Sequence, residues 1–230
     1  MSVILHIETA TSVCSCALSE NGQIIFNRQN REGLSHAVLL GVFVDEAIAF
    51  ARTQQKKIEA IAVSSGPGSY TGLRIGVSEA KGLSYGFGIP LIAIPTPLIM
   101  AQMMIDTADA QTLLCPMIDA RRMEVFATVY DHSLETIRAT TAEIITPDSF
   151  SDLLAEHRIL FFGNGSDKCK NTITHANALF ADNIYPLAIA MIPLAEKAFD
   201  ANDFVDVAYF EPHYLKEFVA TVPKNKVIEV

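Results

Sequence analysis

One stretch constrains the chain more than any other: Ser64-Ser65-Gly66-Pro67-Gly68-Ser69-Tyr70-Thr71-Gly72-Leu73-Arg74-Ile75-Gly76. The apolar run Ile58 to Ser64 enters it as a strand, and a helix from Thr71 to about Tyr85 leaves it. Strand, glycine-rich turn and helix is a geometry that presents backbone N–H groups and a helix dipole to an anion. The residue types do not complete a Walker loop, which ends in Gly-Lys-Ser or Gly-Lys-Thr where this chain has Gly72-Leu73-Arg74. Pro67 removes a donor, and no Gly-x-Gly-x-x-Gly spacing follows. The residues leave two readings open. One is an anion cradle. The other is a tight junction whose glycines let helix and sheet touch, with Arg74 pairing to a carboxylate.

The rest of the chain reads as alternating strands and helices. Val3 to Ile7 is a strand, and Cys14–Leu18 and Gln23–Phe26 flank the hairpin signal Asn21-Gly22. A helix is expected from Ser35 to Arg52, a strand from Pro90 to Ile94, and a helix capped by Thr96 with Pro97 at its first position. The order then repeats. Strands are expected at Leu113–Ile118, Glu124–Tyr130 and Ile137–Ile144, then a helix opened by Thr146-Pro147 and carrying Phe150, Leu153 and Leu154. Ile159–Phe162 is a strand ending in Gly163-Asn164-Gly165, and one helix or two, with an interruption at Pro193, are expected between Tyr185 and Phe199. The expectation is two related βββαβα domains, residues 1–108 and 109–230, the second acidic, with its last helix able to pack back on the first.

Charge and composition narrow the function. Half of the 230 residues are apolar, enough for a real core. Residues 1–90 hold seven basic and seven acidic side chains, and residues 91–230 hold ten and nineteen, so the net charge of -9 sits in the second part. Such a surface does not attract a phosphate backbone by itself. Cys14, Cys16, Cys115 and Cys169 make no zinc spacing and read as buried free thiols. No signal-like leader and no stretch of about 18 apolar residues is present, so a cytoplasmic location is expected. The helix at 35–52 has only two charged residues in its window 37–50. Leu40, Val44, Ala47 and Ile48 suit a sheet-facing side, Leu39, Phe43 and Phe50 fall on a neighbouring sector, and Val42 and Ala49 widen it. The spare sector is either core or a seat for a second protein.

The string Ser65 to Gly76 closely resembles the signature of the bacterial TsaB family, also called YeaZ. Ile7-Glu8-Thr9-Ala10-Thr11, Ser35-His36, Ala80-Lys81-Gly82-Leu83, Ile118-Asp119-Ala120-Arg121 with Glu124-Val125-Phe126, and Pro212 with Tyr214-Leu215-Lys216 resemble further family segments in order. Glu8 stands where the family has Asp. The resemblance implies an α/β fold of the actin-like ATPase, sugar kinase and Hsp70 type. It implies a part in making N6-threonylcarbamoyladenosine at position 37 of tRNA, as a non-catalytic subunit that scaffolds and activates the paralogous transferase TsaD together with the ATPase TsaE. The N-terminal helices would form a homodimer or a heterodimer with TsaD, through His36, Leu39, Phe43, Ala80 and Leu83. Contact with tRNA would be indirect.

The resemblance also separates the chain from its catalytic paralog, which holds a metal through His-x-x-x-His on a helix. Here His36 is followed at that spacing by Leu40. No metal and no catalytic residue is therefore expected. Glu8, Thr9, Asp119, Gly163 and Gly165 are the weak candidates for a cofactor, with ATP or ADP held at most weakly in a vestigial site. Two other readings compete: a phosphotransferase of the acetate or sugar kinase type, and a glycoprotease-like hydrolase. The first lacks a glycine in Thr9-Ala10-Thr11-Ser12, and the second lacks a Ser-His-Asp pattern.

Overall fold

The computed structural model describes residues 2–33 and 36–216. Ser35, expected at the start of the first helix, lies outside them. The first sheet has the order β3-β2-β1-β4-β5, from Val3–Glu8 (β1), Cys14–Glu20 (β2), Gln23–Asn30 (β3), Ala60–Gly66 (β4) and Leu91–Pro95 (β5). The β2–β3 hairpin turns on Asn21-Gly22 with φ of 48° and 76°, as the hairpin signal predicts. The second sheet has the order β10-β9-β6-β7-β8, from Leu113–Asp119 (β6), Glu124–Tyr130 (β7), Thr136–Ile144 (β8), Ile159–Phe162 (β9) and Ala178–Ala181 (β10). Each sheet thus places its first strand centrally, between an antiparallel meander and a parallel strand. The repeated pattern is that of the actin-like class.

Alternation along β1 decides which layer each side chain meets. Val3, Leu5 and Ile7 face His36–Thr53 (α1) and Tyr70–Phe87 (α2), packing with Leu40, Val44, Ala47, Val77 and Ala80. Ile4 faces the opposite way, into a cluster with Ile99, Met191 and Ala195. Thr96–Met104 (α3) is buried over most of its surface, because it packs on both sheets. Its Ile99 meets the first sheet, and Met100, Ala101 and Met104 meet Leu114, Ile118 and Phe162 of the second. Ile192–Asp200 (α5) returns to the first sheet, where Glu196 accepts from Gly22 N at 2.9 Å.

The structure corrects four details. Thr96 is the first helical residue and Pro97 the second, and Pro95 is the cap. Pro147 opens only turns, since Phe150 has φ of 62° and the helix is limited to Ser151–Leu154 (α4). Pro193 sits in the first turn of α5 and interrupts nothing. Strand β10, edge-paired with β9, has too short an apolar run to stand out in the sequence. All four cysteines are buried free thiols. Among the described residues no helix is long and apolar enough to cross a membrane.

Candidate functional site

The glycine-rich stretch joins β4 to α2 and is filled by the chain itself. Ser69 caps the helix, its Oγ accepting from Gly72 N at 3.2 Å. The Ser69 N–H donates to Ala10 O at 2.7 Å. Gly68, Gly72 and Gly76 fall four residues apart, on one side of the junction. A Cβ on them would stand 2.4 Å from Ala10 O, 2.1 Å from Thr9 O and 2.2 Å from Thr9 Oγ1. The turn after β1 therefore lies directly on these glycines. Thr9, Ala10 and Thr11 are buried there, and Thr9 Oγ1 donates to Gly72 O at 2.8 Å.

A second segment closes over the outer side. His213 N donates to Ser65 O at 2.7 Å, and Lys81 Nζ donates to Phe210 O at 2.8 Å. Gly66, with φ of 101°, has no room for a Cβ beside His213 O at 2.8 Å. Tyr214 packs on Tyr70 with ring centres 4.9 Å apart, and the guanidinium carbon of the exposed Arg74 lies 4.4 Å from the centre of the Tyr70 ring. Arg74 thus meets an aromatic ring, where a carboxylate partner was expected. Pro67, Thr71 and Leu73 complete the junction, Leu73 fully buried.

Glu8 and Asp119 end the central strands of the two sheets, yet their surroundings differ. Glu8 is completely buried, with Oε1 accepting from Ala10 N at 2.6 Å. Burial pushes its carboxyl up to about 7, opposed by the N–H of Ala10 and the nearby Ser64 hydroxyl. Its Oε2 and Ser64 Oγ both lack a hydrogen bond of ordinary geometry. His6, two residues earlier on the same face, is held neutral by burial, its ring lowered to about 3. Asp119 is exposed, ion-paired with Lys168, and accepts from Arg121 N at 3.2 Å. The two carboxyls do not form one site. Among the described residues no group of three or more His, Cys, Asp or Glu could hold a metal ion.

Gly163 and Gly165 mirror the first-sheet junction. A Cβ on Gly163 would lie 2.4 Å from Met117 O, and one on Gly165 2.9 Å from Ile118 C. Gly165 N donates to Met117 O at 3.0 Å, and Asn164 Oδ1 accepts from Asp119 N at 3.2 Å. Only a three-residue 3-10 turn, Asp167–Cys169, follows. The fold class implies a nucleotide and Mg²⁺ at this junction. The residues present do not fit them: Gly165 N is bonded within the chain, the Glu8 carboxyl is sealed with its proton affinity raised, and the Asp119 carboxyl is paired with a lysine.

The expected partner residues are only partly at the surface. His36 is buried, its ring Nε2 3.2 Å from Val13 O, and Ala80 is buried on the side of α2 that packs on the core. Leu39, Phe43 and Leu83 are half-buried, and Phe43 and Leu83 pack on the core. The exposed apolar side chains of these helices are Val38 (73%), Val42 (50%), Tyr85 (85%) and Phe87 (44%). Val38 and Val42 lie one turn apart, a spacing that identifies a common face but not whether it looks inward.

A family model described as TsaD, tRNA N6-adenosine threonylcarbamoyltransferase, matches residues 32–224. The tRNA threonylcarbamoyladenosine biosynthesis protein TsaB of Escherichia coli (strain K12) is 32% identical over 228 residues, 94% of this chain and 96% of that one. The protein of the same description from Haemophilus influenzae is 25% identical over 225 residues, with 94% of each chain covered. A solved structure, YeaZ from Pseudomonas aeruginosa, shares the fold with a TM-score of 0.77 and 24% identity, covering 94% of this chain and 100% of that one.

Proposed function

The chain belongs to the TsaB family, within the wider family that the TsaD model describes, and from that premise we propose that it supports threonylcarbamoyl transfer to tRNA as a partner subunit without performing the transfer itself. Its place in the biosynthesis of tRNA threonylcarbamoyladenosine follows from the family. The observation that carries the non-catalytic reading is the self-filled junction, where Thr9 and Ala10 occupy the ground a phosphate would need. The broken His36-x-x-x-Leu40 spacing agrees with it.

The supporting role is assembly. The exposed Val38 and Val42 of α1 and Tyr85 of α2 offer apolar surface to the catalytic paralog, or to a second copy of this chain. The ATPase TsaE completes the assembly, and tRNA is engaged through the complex. ATP or ADP binds this chain at most weakly. A phosphotransferase finds no support in a junction whose glycines are covered by Thr9 and Ala10 of the chain itself.

Reconstitution tests the reading. Purified chain, catalytic paralog and ATPase together should modify tRNA, and omission of this chain should remove the activity. Transfer by this chain alone would overturn the proposal, and so would full transfer without it.

A further inference from the structure

Two segments that stand out in the sequence meet in the fold: Ala80-Lys81-Gly82-Leu83 of α2, and Pro212 with Tyr214-Leu215-Lys216. Residues 205–216 form no helix and no regular strand, yet they cross from the first sheet to the second. The crossing begins at the β5 edge, where Val205 N donates to Leu91 O at 2.9 Å in an isolated antiparallel bridge. Val207 and Phe210 are half-buried and pack on the core cluster of α1, α2 and the first sheet. Lys81 Nζ reaches over to donate to Ala208 O at 3.2 Å and to Phe210 O at 2.8 Å. His213 N then donates to Ser65 O at the end of β4. The crossing finishes on the second half, with Leu215 packed on the cluster that holds Ile118 and Phe126, and Lys216 ion-paired with Glu124 of β7.

These fastenings are of a kind that opens readily. A single bridge stands in place of a ladder. Lys81 is half-buried, and among the described residues its ammonium has no carboxylate partner, so two main-chain carbonyls hold it. Hydrogen bonds from a charged donor are stronger than neutral ones, which makes Lys81 the firmest pin. The Lys216–Glu124 pair is partly exposed, and such pairs contribute little each. The middle of the segment keeps one turn of its own. Asp206 Oδ1 accepts from Ala208 N at 2.7 Å and from Tyr209 N at 3.1 Å, and Phe210 N donates to Asp206 O at 2.8 Å. A stretch with few buried side chains and few ladder bonds sits at the low end of local stability.

We propose that residues 205–216 are a latch between the two halves, pinned on α2 by Lys81 and on β7 by Lys216, and that the latch opens as one unit. Helix α3 already packs on both sheets, so the latch is a second and releasable connection. Opening it would bare Ser65 O, Leu91 O and the outer side of Gly66, and would free α2 from its tie to the second half. The device is independent of which protein sits on α1 and α2.

Hydrogen exchange of the full chain, read amide by amide by NMR, tests the latch. Lys81→Met keeps the aliphatic stem and removes the donors. It should speed exchange of the Val205 and His213 amides by at least about fivefold, with the amides of β1 and β4 within about twofold of the parent. Lys216→Met cuts the other end, on the other sheet, at an exposed site where misfolding is not at issue. It should speed the Val205 amide, at the far end of the segment, by about twofold. Unchanged protection in K81M overturns the proposal. So does a response of Lys216→Met confined to the residues beside Lys216, because the segment would then fray at each end separately. Acceleration spread evenly over β1 and β4 in either variant also overturns it, since that is a loss of global stability.

Discussion

Thr9 Oγ1 donates to the main-chain carbonyl of Gly72 at 2.8 Å, tying the turn after β1 to the first turn of α2. The contact is close because Gly72 has no side chain: its absent Cβ would stand 2.1 Å from Thr9 O. A motif that presents donors to an anion in other folds here presents a smooth surface to its own chain.

Gly72→Ala should therefore destabilise the fold by about 1–3 kcal/mol, since the methyl meets backbone that cannot swing aside. Gly82 in the same helix has nothing within 4 Å of a built Cβ. Gly82→Ala should stabilise by ~0.5–1 kcal/mol through helix propensity. Urea unfolding of the two variants checks the contrast. Equal effects would remove the packing explanation.

Glu8 gives a signed pH dependence. Its folded carboxyl is raised from 4.5 to about 7, so between those values the folded chain keeps a proton that the unfolded chain has lost. Stability from this group is full below pH 4.5 and falls as pH rises toward 7, by about 3 kcal/mol at most. His6 acts oppositely: the unfolded ring gains a proton below 6.5 and the folded one only near 3, so stability is lost as pH falls through that window. The two effects offset each other where the windows overlap. Glu8→Gln should separate them, its unfolding free energy gaining on the parent between pH 4.5 and about 7. A constant difference across that range would count against a raised carboxyl.

The partner face can be disrupted without touching the core. Val38→Glu and Val42→Glu should weaken pairing with the paralog more than about tenfold, with little change in thermal midpoint, because both side chains already face solvent. Phe43→Glu is the poorer probe, since Phe43 packs on the core and its replacement should cost about 2 kcal/mol of stability. Calorimetric titration with the paralog, paired with thermal melts, distinguishes the two classes. Undiminished pairing by both valine variants would move the interface elsewhere.

Millimolar MgATP should leave the thermal midpoint of the isolated chain unchanged. A ligand at one hundred times its Kd would add about 2.7 kcal/mol, which a melt would register clearly. A distinct upward shift would mean that the junction opens to admit phosphate.

Much of this was legible along the chain. Alternation in Val3–Glu8, the Asn21-Gly22 turn and the long apolar window of α1 report local periodicity and turn chemistry, so strands and helices fall close to where those signals place them. The family string Ser65–Gly76 was equally plain, being a matter of residue order. Direction was not legible. Phe43 and Val42 are neighbours on one apolar helix, and only the sheet beneath decides that Phe43 packs inward while Val42 meets solvent. The partial helix at Pro147 and the edge strand β10 depend likewise on what lies beside them.

The glycine-rich stretch shows the same division most clearly. Its residues determined by themselves that a strand would turn sharply into a helix with a small-residue surface at the start, because glycine spacing and the Ser69 cap are local properties. What fills that surface was decided by the tertiary structure. Thr9 and Ala10 lie some sixty residues earlier, and only sheet pairing of β1 with β4 brings their turn onto Gly68, Gly72 and Gly76. Pairing between strands so distant in sequence is a non-local contact, and no window of sequence contains it.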